Sequence, residues 1–333
     1  MGAVPAAAGG PKGLILGPLD RLIFGAWLPQ SQQTVHVIGA SIGAWRMAAA
    51  CSRDSTQALW QLERDYIAQH VEWPADQKRA TADQISAQFR HNLQDFFGAR
   101  MGEVLAHPRY RLHVLASRGR GLLATDGRWR TPLGYASAYA LNAMGRRALS
   151  GLLDRVVFST GSEALPFATH DFNTHAVALG EHNFMDALQA SCSIPFLLRP
   201  VQGIAGAPAG AYWDGGITDY HLHLHYRLPA SSPLVLYPHF QRAVVPGWLD
   251  KAWKRRHVAS PALDAVLVVA PDPAWIQTLP NGRLPDRSDF TGYGRDLAGR
   301  MRAWSGATAA AQQLADEFEQ WLAQPDLSRI EAL

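Results

Sequence analysis

Apolar side chains recur along the chain in two patterns, short runs of strand length and longer stretches with helical spacing. Helical spacing is clearest in residues 81–97, where Ile85, Phe89 and Leu93 fall on one face of a helix. The short runs predict strands at 3–8, 34–38, 110–117, 152–159, 234–237 and 265–270. The longer stretches predict helices at 14–24, 44–51, 54–105, 184–193 and 307–322. Strands that alternate with helices predict an α/β fold, in which a mostly parallel sheet carries helices on its faces.

No internal repeat and no convincing linker interrupts this pattern. We therefore predict one domain over residues 1–230, with a helical insertion at about 54–105. Residues 231–333 are predicted to be a C-terminal extension that packs on the same domain. A chain of 333 residues is long enough to bury one large core.

Composition narrows the functional classes. Hydrophobic residues make up 47% of the chain and charged residues 18%, which is typical of a folded protein. The net charge of +3 comes without a dense basic block, so we do not expect a nucleic-acid partner. Cys51 and Cys192 are expected to be reduced, because two cysteines in this length build no disulfide framework. We recognise no signal peptide and no transmembrane run. The expected location is therefore cytoplasmic, which is compatible with peripheral contact with a membrane.

The sequence Gly39-Ala40-Ser41-Ile42-Gly43 matches the pattern G-x-S-x-G between a predicted strand and a predicted helix. In a nucleophile elbow, the serine occupies a strained strand-to-helix turn and glycines avoid clashes two positions away. The start of the following helix favours developing negative charge beside the hydroxyl. Ser41 is therefore a candidate nucleophile, although a chance pentapeptide at an ordinary turn remains the alternative.

Two further glycine motifs flank this serine at a distance. In Gly9-Gly10-Pro11-Lys12-Gly13, backbone N–H groups of Gly9, Gly10, Lys12 or Gly13 are candidates to bind an anion, since Pro11 has none. A phosphate-binding loop fits poorly, because its lysine pattern is absent. In Asp214-Gly215-Gly216, a buried carboxylate with a raised pKa is a candidate base. Each motif alone is compatible with a plain turn.

Taken together, the order of these motifs resembles that of the patatin-like phospholipase family, including a stretch at 190–196 similar to the family's A-S-x-A-x-P. The resemblance covers residues 3 to about 225. It implies a three-layer α/β/α fold and hydrolysis of phospholipid, lysophospholipid or glyceride esters without a cofactor. It also implies Ser41 as nucleophile, Asp214 as base and the Gly10–Gly13 backbone as oxyanion hole. Ser193 and the segment 217–225 depart from the family pattern, which leaves substrate choice open.

A Ser-Asp-His triad is the main alternative to this dyad, with His239 or His257 as its third member. An α/β-hydrolase usually places several strands before its elbow, whereas only one strand is predicted before residues 34–38. We therefore favour the dyad, in which Asp214 takes the proton of Ser41 directly.

Two other features raise separate hypotheses. If residues 221–225 form a strand, His221, His223 and His225 share one face and are candidate zinc ligands, although a solvated strand face is the more ordinary explanation. One segment mixes tryptophans with cations, a composition typical of a surface helix or of a lipid-binding segment. The candidates for peripheral membrane contact are Trp248, Trp253, Lys254 and Arg255. A transacylase using the same dyad and an inactive lipid-binding scaffold remain alternative functions.

Overall fold

A computed structural model describes residues 1–74, 76–77 and 79–333. Small and β-branched apolar residues build its central sheet, because both faces of the inner strands are covered and tolerate few polar side chains. Val35–Ala40 and Leu153–Ser159 are buried along almost their whole length. The strands are β1 Ala3–Ala6, β2 Val35–Ala40, β3 Tyr110–Gly119, β4 Leu153–Ser159, β5 Thr174–Ala178, β6 Val201–Gln202, β7 Ala211–Asp214, β8 Val235–Pro238 and β9 Val266–Val269.

The sheet is mixed and mostly parallel, as the sequence predicts. Its main order is β5-β4-β3-β2-β1-β8-β9. Pairing is parallel from β3 through β2, β1 and β8 to β9, and also between β4 and β5. β4 and β7 run antiparallel to β3, and β6 runs antiparallel to β7. The carboxyl ends of β1 and β2 therefore lie at one edge, where the glycine motifs follow.

Helices cover one face, where Met47, Phe97 and Phe184 join the core that includes Val37 and Val114. The other face is covered by α6 and by long coil segments. The helices are α1 Gly17–Arg21, α2 Ile42–Ala50, α3 Ser55–Ala68, α4 Ala82–Phe97, α5 Met101–Leu105, α6 Arg130–Met144, α7 Arg146–Leu149, α8 Phe184–Ser191, α9 Pro273–Thr278, α10 Ser288–Gly292, α11 Leu297–Ala310 and α12 Gln312–Ala323.

Three helix predictions are wrong in their continuity, and the helix predicted at 307–322 is divided between α11 and α12 at Ala311. The helix predicted over 54–105 is broken, because α3 ends at Ala68 ahead of Pro74 and α4 starts afresh with a capping box at Thr81. Residues 75 and 78 of that stretch lie outside the described residues. The helix predicted at 14–24 is a 3₁₀ turn (Gly10–Leu16), a short α-helix and a π-helix (Leu22–Trp27).

The last hundred residues contribute directly to the sheet. β8 pairs with β1, and β9 lies beside β8. α11 packs on the 3₁₀ turn Gly10–Leu16 and on α3, next to the first glycine motif. Among the described residues, no helix combines the length and the hydropathy needed to cross a membrane.

Candidate active site

Strand β3 positions both Ser41 and Asp214. β2 pairs along one edge of β3 until Ala40 lies beside Leu115. β7 takes over at the next residue, where Asp214 lies beside Ala116, while β4 occupies the opposite edge. Because Leu115 and Ala116 are consecutive, the ends of β2 and β7 meet. Ser41, the residue after β2, is thereby brought to Asp214.

The turn at Ser41 has the backbone of a nucleophile elbow. Ser41 adopts φ 56° and ψ −130°, a conformation that costs a non-glycine residue strain. A Cβ on Gly43 would lie 2.0 Å from the carbonyl oxygen of Ala6, and one on Gly39 would lie 2.5 Å from the backbone of Ala44. Both flanking glycines of the motif are therefore sterically required, as the sequence pattern predicts.

The Ser41 hydroxyl donates to the Asp214 carboxylate, with 2.6 Å between Oγ and Oδ2. The second carboxylate oxygen, Oδ1, accepts the N–H of Gly216 at 2.7 Å. Both residues of this pair are buried. Burial raises the pKa of the Asp214 carboxyl above its usual value, against the opposing effects of the Arg287 charge, the Ser41 hydrogen bond and the Gly216 amide. Within the described residues this carboxylate has no ion-pair partner, and a buried carboxylate joined to a hydroxyl is equipped to accept a proton.

The first glycine motif and the preceding residue, Ala8, lie against the other two motifs. A Cβ at Gly13 would lie 3.6 Å from the Ile42 side chain, and one at Gly216 would lie 2.7 Å from the Ala8 side chain. Gly10 adopts φ 58° at the start of the 3₁₀ turn, a left-handed conformation that favours glycine. The first N–H groups of a helical turn have no partner within the turn. In the described parts of the chain, the Gly9 and Gly10 amides also have no acceptor elsewhere.

A segment whose role the sequence left undefined links the two halves of the site. Ser191 accepts the backbone N–H of Ser41 at 2.9 Å and donates to the Leu115 carbonyl at 2.6 Å. The carbonyl of Ser193 accepts the N–H of Asp214 at 2.9 Å. The resemblance pointed to the stretch 190–196, but only the fold shows that it fixes the backbone at both positions.

Neither histidine of the alternative triad reaches the dyad. The Nδ1 of His239 contacts the Gln241 backbone beneath the Phe240 ring. The Nε2 of His257 lies 2.9 Å from the carbonyl oxygen of Asp250. In the part of the chain that the structure describes, no histidine is hydrogen-bonded to Ser41 or Asp214.

The strand on which the three-histidine hypothesis at 221–225 depended is absent. Leu222 adopts φ 46°, which breaks the extended alternation on which the shared face depended. His221 is buried against the backbone of residues 243–245, His223 contacts Ser260, and His225 is exposed. The described residues contain no cluster of three or more side chains that could hold a metal ion.

Comparison with known proteins bears on this geometry. A family model described as patatin-like phospholipase matches residues 8–221, which is well over half of the chain and includes all three glycine motifs. The chain belongs to the patatin-like phospholipase family. Membership supports a hydrolase that acts on lipid acyl esters in general.

Other comparisons with this patatin-like chain add little. The crystal structure of VipD from Legionella pneumophila is similar at a TM-score of 0.41 and 14% identity, covering 95% of this chain and 67% of that chain. A likeness this distant carries no argument about function. No curated protein matches the chain in sequence.

Two cationic side chains from beyond residue 221 also lie near the site of this patatin-like chain. Arg287 lies against the first glycine motif, where a Cβ on Gly10 would be 3.1 Å from its Nε. The Lys251 ammonium lies 4.1 Å from the centre of the Tyr220 ring. Both charges oppose the rise in the pKa of Asp214. Sequence reasoning missed both residues at the site, since neither belongs to a recognisable motif.

Proposed function

We propose that the protein is a serine esterase that hydrolyses phospholipids, lysophospholipids or glycerides through an acyl-enzyme on Ser41. The observation that carries the proposal is the 2.6 Å contact between Ser41 Oγ and Asp214 Oδ2, made on a strained elbow. The family membership supports the ester chemistry, and the dyad supports the choice of residues.

In the proposed first step, Ser41 Oγ attacks the ester carbonyl carbon while Asp214 takes the hydroxyl proton. The amides of Gly9 and Gly10, which have no acceptor within the described residues, are the proposed donors for the oxyanion, with Lys12 and Gly13 as further members of that loop. The tetrahedral species collapses as Asp214 returns the proton to the leaving alkoxide. Water, deprotonated by Asp214, then attacks the acyl-enzyme, and the departing Ser41 alkoxide recovers the proton.

The raised pKa of Asp214 suits this cycle. An aspartate at its ordinary pKa is a weak base for a hydroxyl, so burial supplies part of the basicity and the oxyanion donors supply further stabilisation. Losing one such donor typically slows an acyl-transfer enzyme by about 10²–10³-fold.

A panel of p-nitrophenyl esters and phospholipids, assayed with wild type, Ser41→Ala and Asp214→Asn, tests the proposal. We expect hydrolysis by wild type and a loss of at least about 10³-fold in both variants. A fluorophosphonate probe is expected to label wild type but not Ser41→Ala. Ser52→Ala is the control and should still be labelled, because the buried Ser52 hydroxyl has no hydrogen-bond partner in the described chain. A wild type that neither hydrolyses nor is labelled would favour the inactive scaffold. Acyl transfer to an added alcohol or lysolipid, without net hydrolysis, would favour the transacylase.

We further propose that the protein contacts membranes peripherally. The proposed contact surface includes α6 in addition to Trp248, Trp253, Lys254 and Arg255. Trp253 is half-buried and stacks 6.0 Å from Tyr139 of α6, so the two segments adjoin. The outward face of α6 presents Leu133, 57% exposed, and Met144, 83% exposed. Residues 128–149 contain four arginines and no acid, which matches an anionic lipid surface.

Flotation with phosphatidylglycerol vesicles tests this contact. We expect the double variant Leu133→Glu, Met144→Glu to lose most vesicle binding. Leu327→Glu, which changes an exposed leucine at the far C-terminal end, is the matched control and should bind like wild type. Equal binding of all three proteins would exclude α6 as the contact surface.

A further inference from the structure

A buried ion pair joins the helix that starts at the elbow to the segment that follows the first glycine motif. Arg46 lies on α2 and Asp20 on α1. The Arg46 Nε donates to one oxygen of the Asp20 carboxylate at 2.7 Å, and its Nη2 donates to the other at 2.8 Å. Arg46 is 5% exposed and Asp20 is fully buried. A pair with two parallel hydrogen bonds fixes the orientation of both side chains as well as their distance.

The same face of α2 lies against the glycine motif itself. Ile42 and Arg46 are four residues apart, so they share one face of the helix. A Cβ on Gly13 would lie 3.6 Å from Ile42 Cγ2 and 3.7 Å from Arg46 Cδ, which is ordinary van der Waals contact. The glycine motif therefore faces the start of α2 across a gap that one carbon atom would bridge.

Strand pairing sets the distance between these two segments only up to Ala6. β1 pairs with β2 as far as Ala6 and Gly39, and β1 ends there, ahead of the glycine motif. Among the described residues, no side-chain hydrogen bond other than the Arg46–Asp20 pair links residues 7–21 to α2. The position of the glycine motif relative to the elbow therefore depends on this pair and on the packing at Gly13.

The cleft between the ion pair and the glycine motif is narrow. Its volume is about 30 Å³, and its walls include Gly10, Gly13, Ile42, Asp20 and Arg46. A space of this size holds one or two water molecules and excludes an acyl chain. The remaining guanidinium nitrogen of Arg46, Nη1, is buried there without a hydrogen-bond partner in the described chain. Arg46 is thus shielded from substrate, and its influence on catalysis has to pass through the elements that it joins.

We propose that Arg46 and Asp20 are positioning residues, which hold the oxyanion-binding amides at a fixed distance from the Ser41 hydroxyl. This role rests on the proposed esterase function, because it concerns the oxyanion donors of that reaction. Ser41 lies between β2 and α2, whereas the Gly9 and Gly10 amides lie on the segment that leads into α1. A displacement of about 1 Å between reacting groups can slow an enzyme by about 10²-fold, so a rigid link between the two segments matters for the rate.

Kinetics with a p-nitrophenyl ester test the proposal. We expect Arg46→Met and Asp20→Asn to lower kcat by about 10–100-fold and to leave KM nearly unchanged, because the amides move while the other substrate contacts remain. Arg46→Lys should recover part of kcat, since an ammonium group keeps the charge but not both hydrogen bonds. Arg21→Met is the matched control and should retain the wild-type kcat, because Arg21 of α1 pairs with Glu63 of α3, at 2.6 Å, and not with α2.

A double variant separates positioning from stability. Removing one partner of a buried ion pair destabilises a fold, whereas replacing both partners by apolar residues of similar volume is often neutral. We therefore expect Asp20→Leu, Arg46→Met to unfold at a urea concentration close to that of wild type, while its kcat stays as low as that of Arg46→Met. Recovery of kcat together with stability would overturn the proposal, because the pair would then only stabilise the fold.

Hydrogen exchange, followed by mass spectrometry, tests the link without any hydrolysis. The measured quantity is the exchange rate of backbone amides in peptides from residues 9–17. We expect faster exchange in Arg46→Lys than in wild type or in Arg21→Met, because a loosened link lets the glycine motif open locally. That result supports the positioning role even if the proposed esterase activity fails. Exchange in Arg46→Lys that is no faster than in wild type or in Arg21→Met refutes it.

Discussion

Two buried aspartates, Asp214 and Asp219, lie close together in the sequence and have opposite surroundings. Asp219 receives both Nε and Nη2 of the fully buried Arg155, at 2.8 and 2.6 Å. Arg155 also contacts Asp171 through two further hydrogen bonds of 2.9 Å. Asp214 has a hydroxyl and an amide in place of a cation. Burial alone therefore does not make a base: the absence of an adjacent paired cation leaves Asp214 able to take up a proton.

The largest effect expected from this comparison is on stability at Arg155. Arg155→Met leaves the Asp219 charge buried and unpaired, so we expect a loss of about 3–5 kcal/mol in the free energy of unfolding. Arg242→Met removes only exposed ion pairs and should cost less than about 1 kcal/mol. Urea unfolding of the three proteins measures both values, and a similar small loss in both variants would mean that the Arg155 cluster contributes little.

At Asp214 we expect the opposite effect on the free energy of unfolding, because removing this charge should stabilise the fold. Because the folded-state pKa is raised, wild type loses stability as the pH rises from the unfolded-state pKa of about 3.9 through the folded value. Asp214→Asn has no such charge to bury and should be more stable at pH 7.5, by about 1–2 kcal/mol. The gain should vanish below about pH 4. Unfolding curves at both pH values check this, and a less stable variant at pH 7.5 would contradict it.

Ser41 carries strain rather than buried charge. Glycine accepts its positive φ, so Ser41→Gly should gain about 1 kcal/mol, the released strain being larger than the entropy that glycine adds to the unfolded chain. Ser52→Gly, at a position without positive φ, is the control and should lose stability. A thermal unfolding scan of the pair decides whether the elbow stores strain.

The smallest expected effect is a shift in pH dependence. The acidic limb of kcat/KM on a neutral ester should lie above the ordinary aspartate pKa, since Asp214 must be ionised to act as base. Arg287 opposes the rise in that pKa, as do Ser41, the Gly216 amide and Lys251. Arg287→Met should therefore move the limb to higher pH. Arg302→Met, at an exposed arginine of α11, should leave it in place, and a shift to lower pH in Arg287→Met would contradict the assignment.

Local chemistry explains why the sequence pointed to Ser41 and Asp214. Glycines at 39, 43 and 215 are sterically required by close backbone contacts, and such requirements leave a short readable pattern. The alternation of strands and helices likewise predicted the mostly parallel sheet. These features depend on residues that are neighbours in the chain.

Features that depend on distant contacts were not predictable in the same way. Arg287 faces Gly10 because Asp289 and Trp304 hold its loop, an arrangement without a sequence pattern. Helix α6 was not predicted from the sequence. Its exposed face is also apolar, so no clear apolar stripe marks the face that points inward. The shared face considered for His221, His223 and His225 does not form, because Leu222 has a positive φ that interrupts an alternation regular in the sequence.

The double pairing of β3 has a consequence for how this chain can change length. The distance between the Ser41 hydroxyl and the Asp214 carboxylate is set by the step from Leu115 to Ala116 on β3. It does not depend on the length of the connection between residues 41 and 214. Insertions and deletions in the loops of that connection, outside β3 and the strands paired with it, leave this distance unchanged. A single residue inserted between Leu115 and Ala116 would slide one partner past the other and turn its side chain to the opposite face of the sheet.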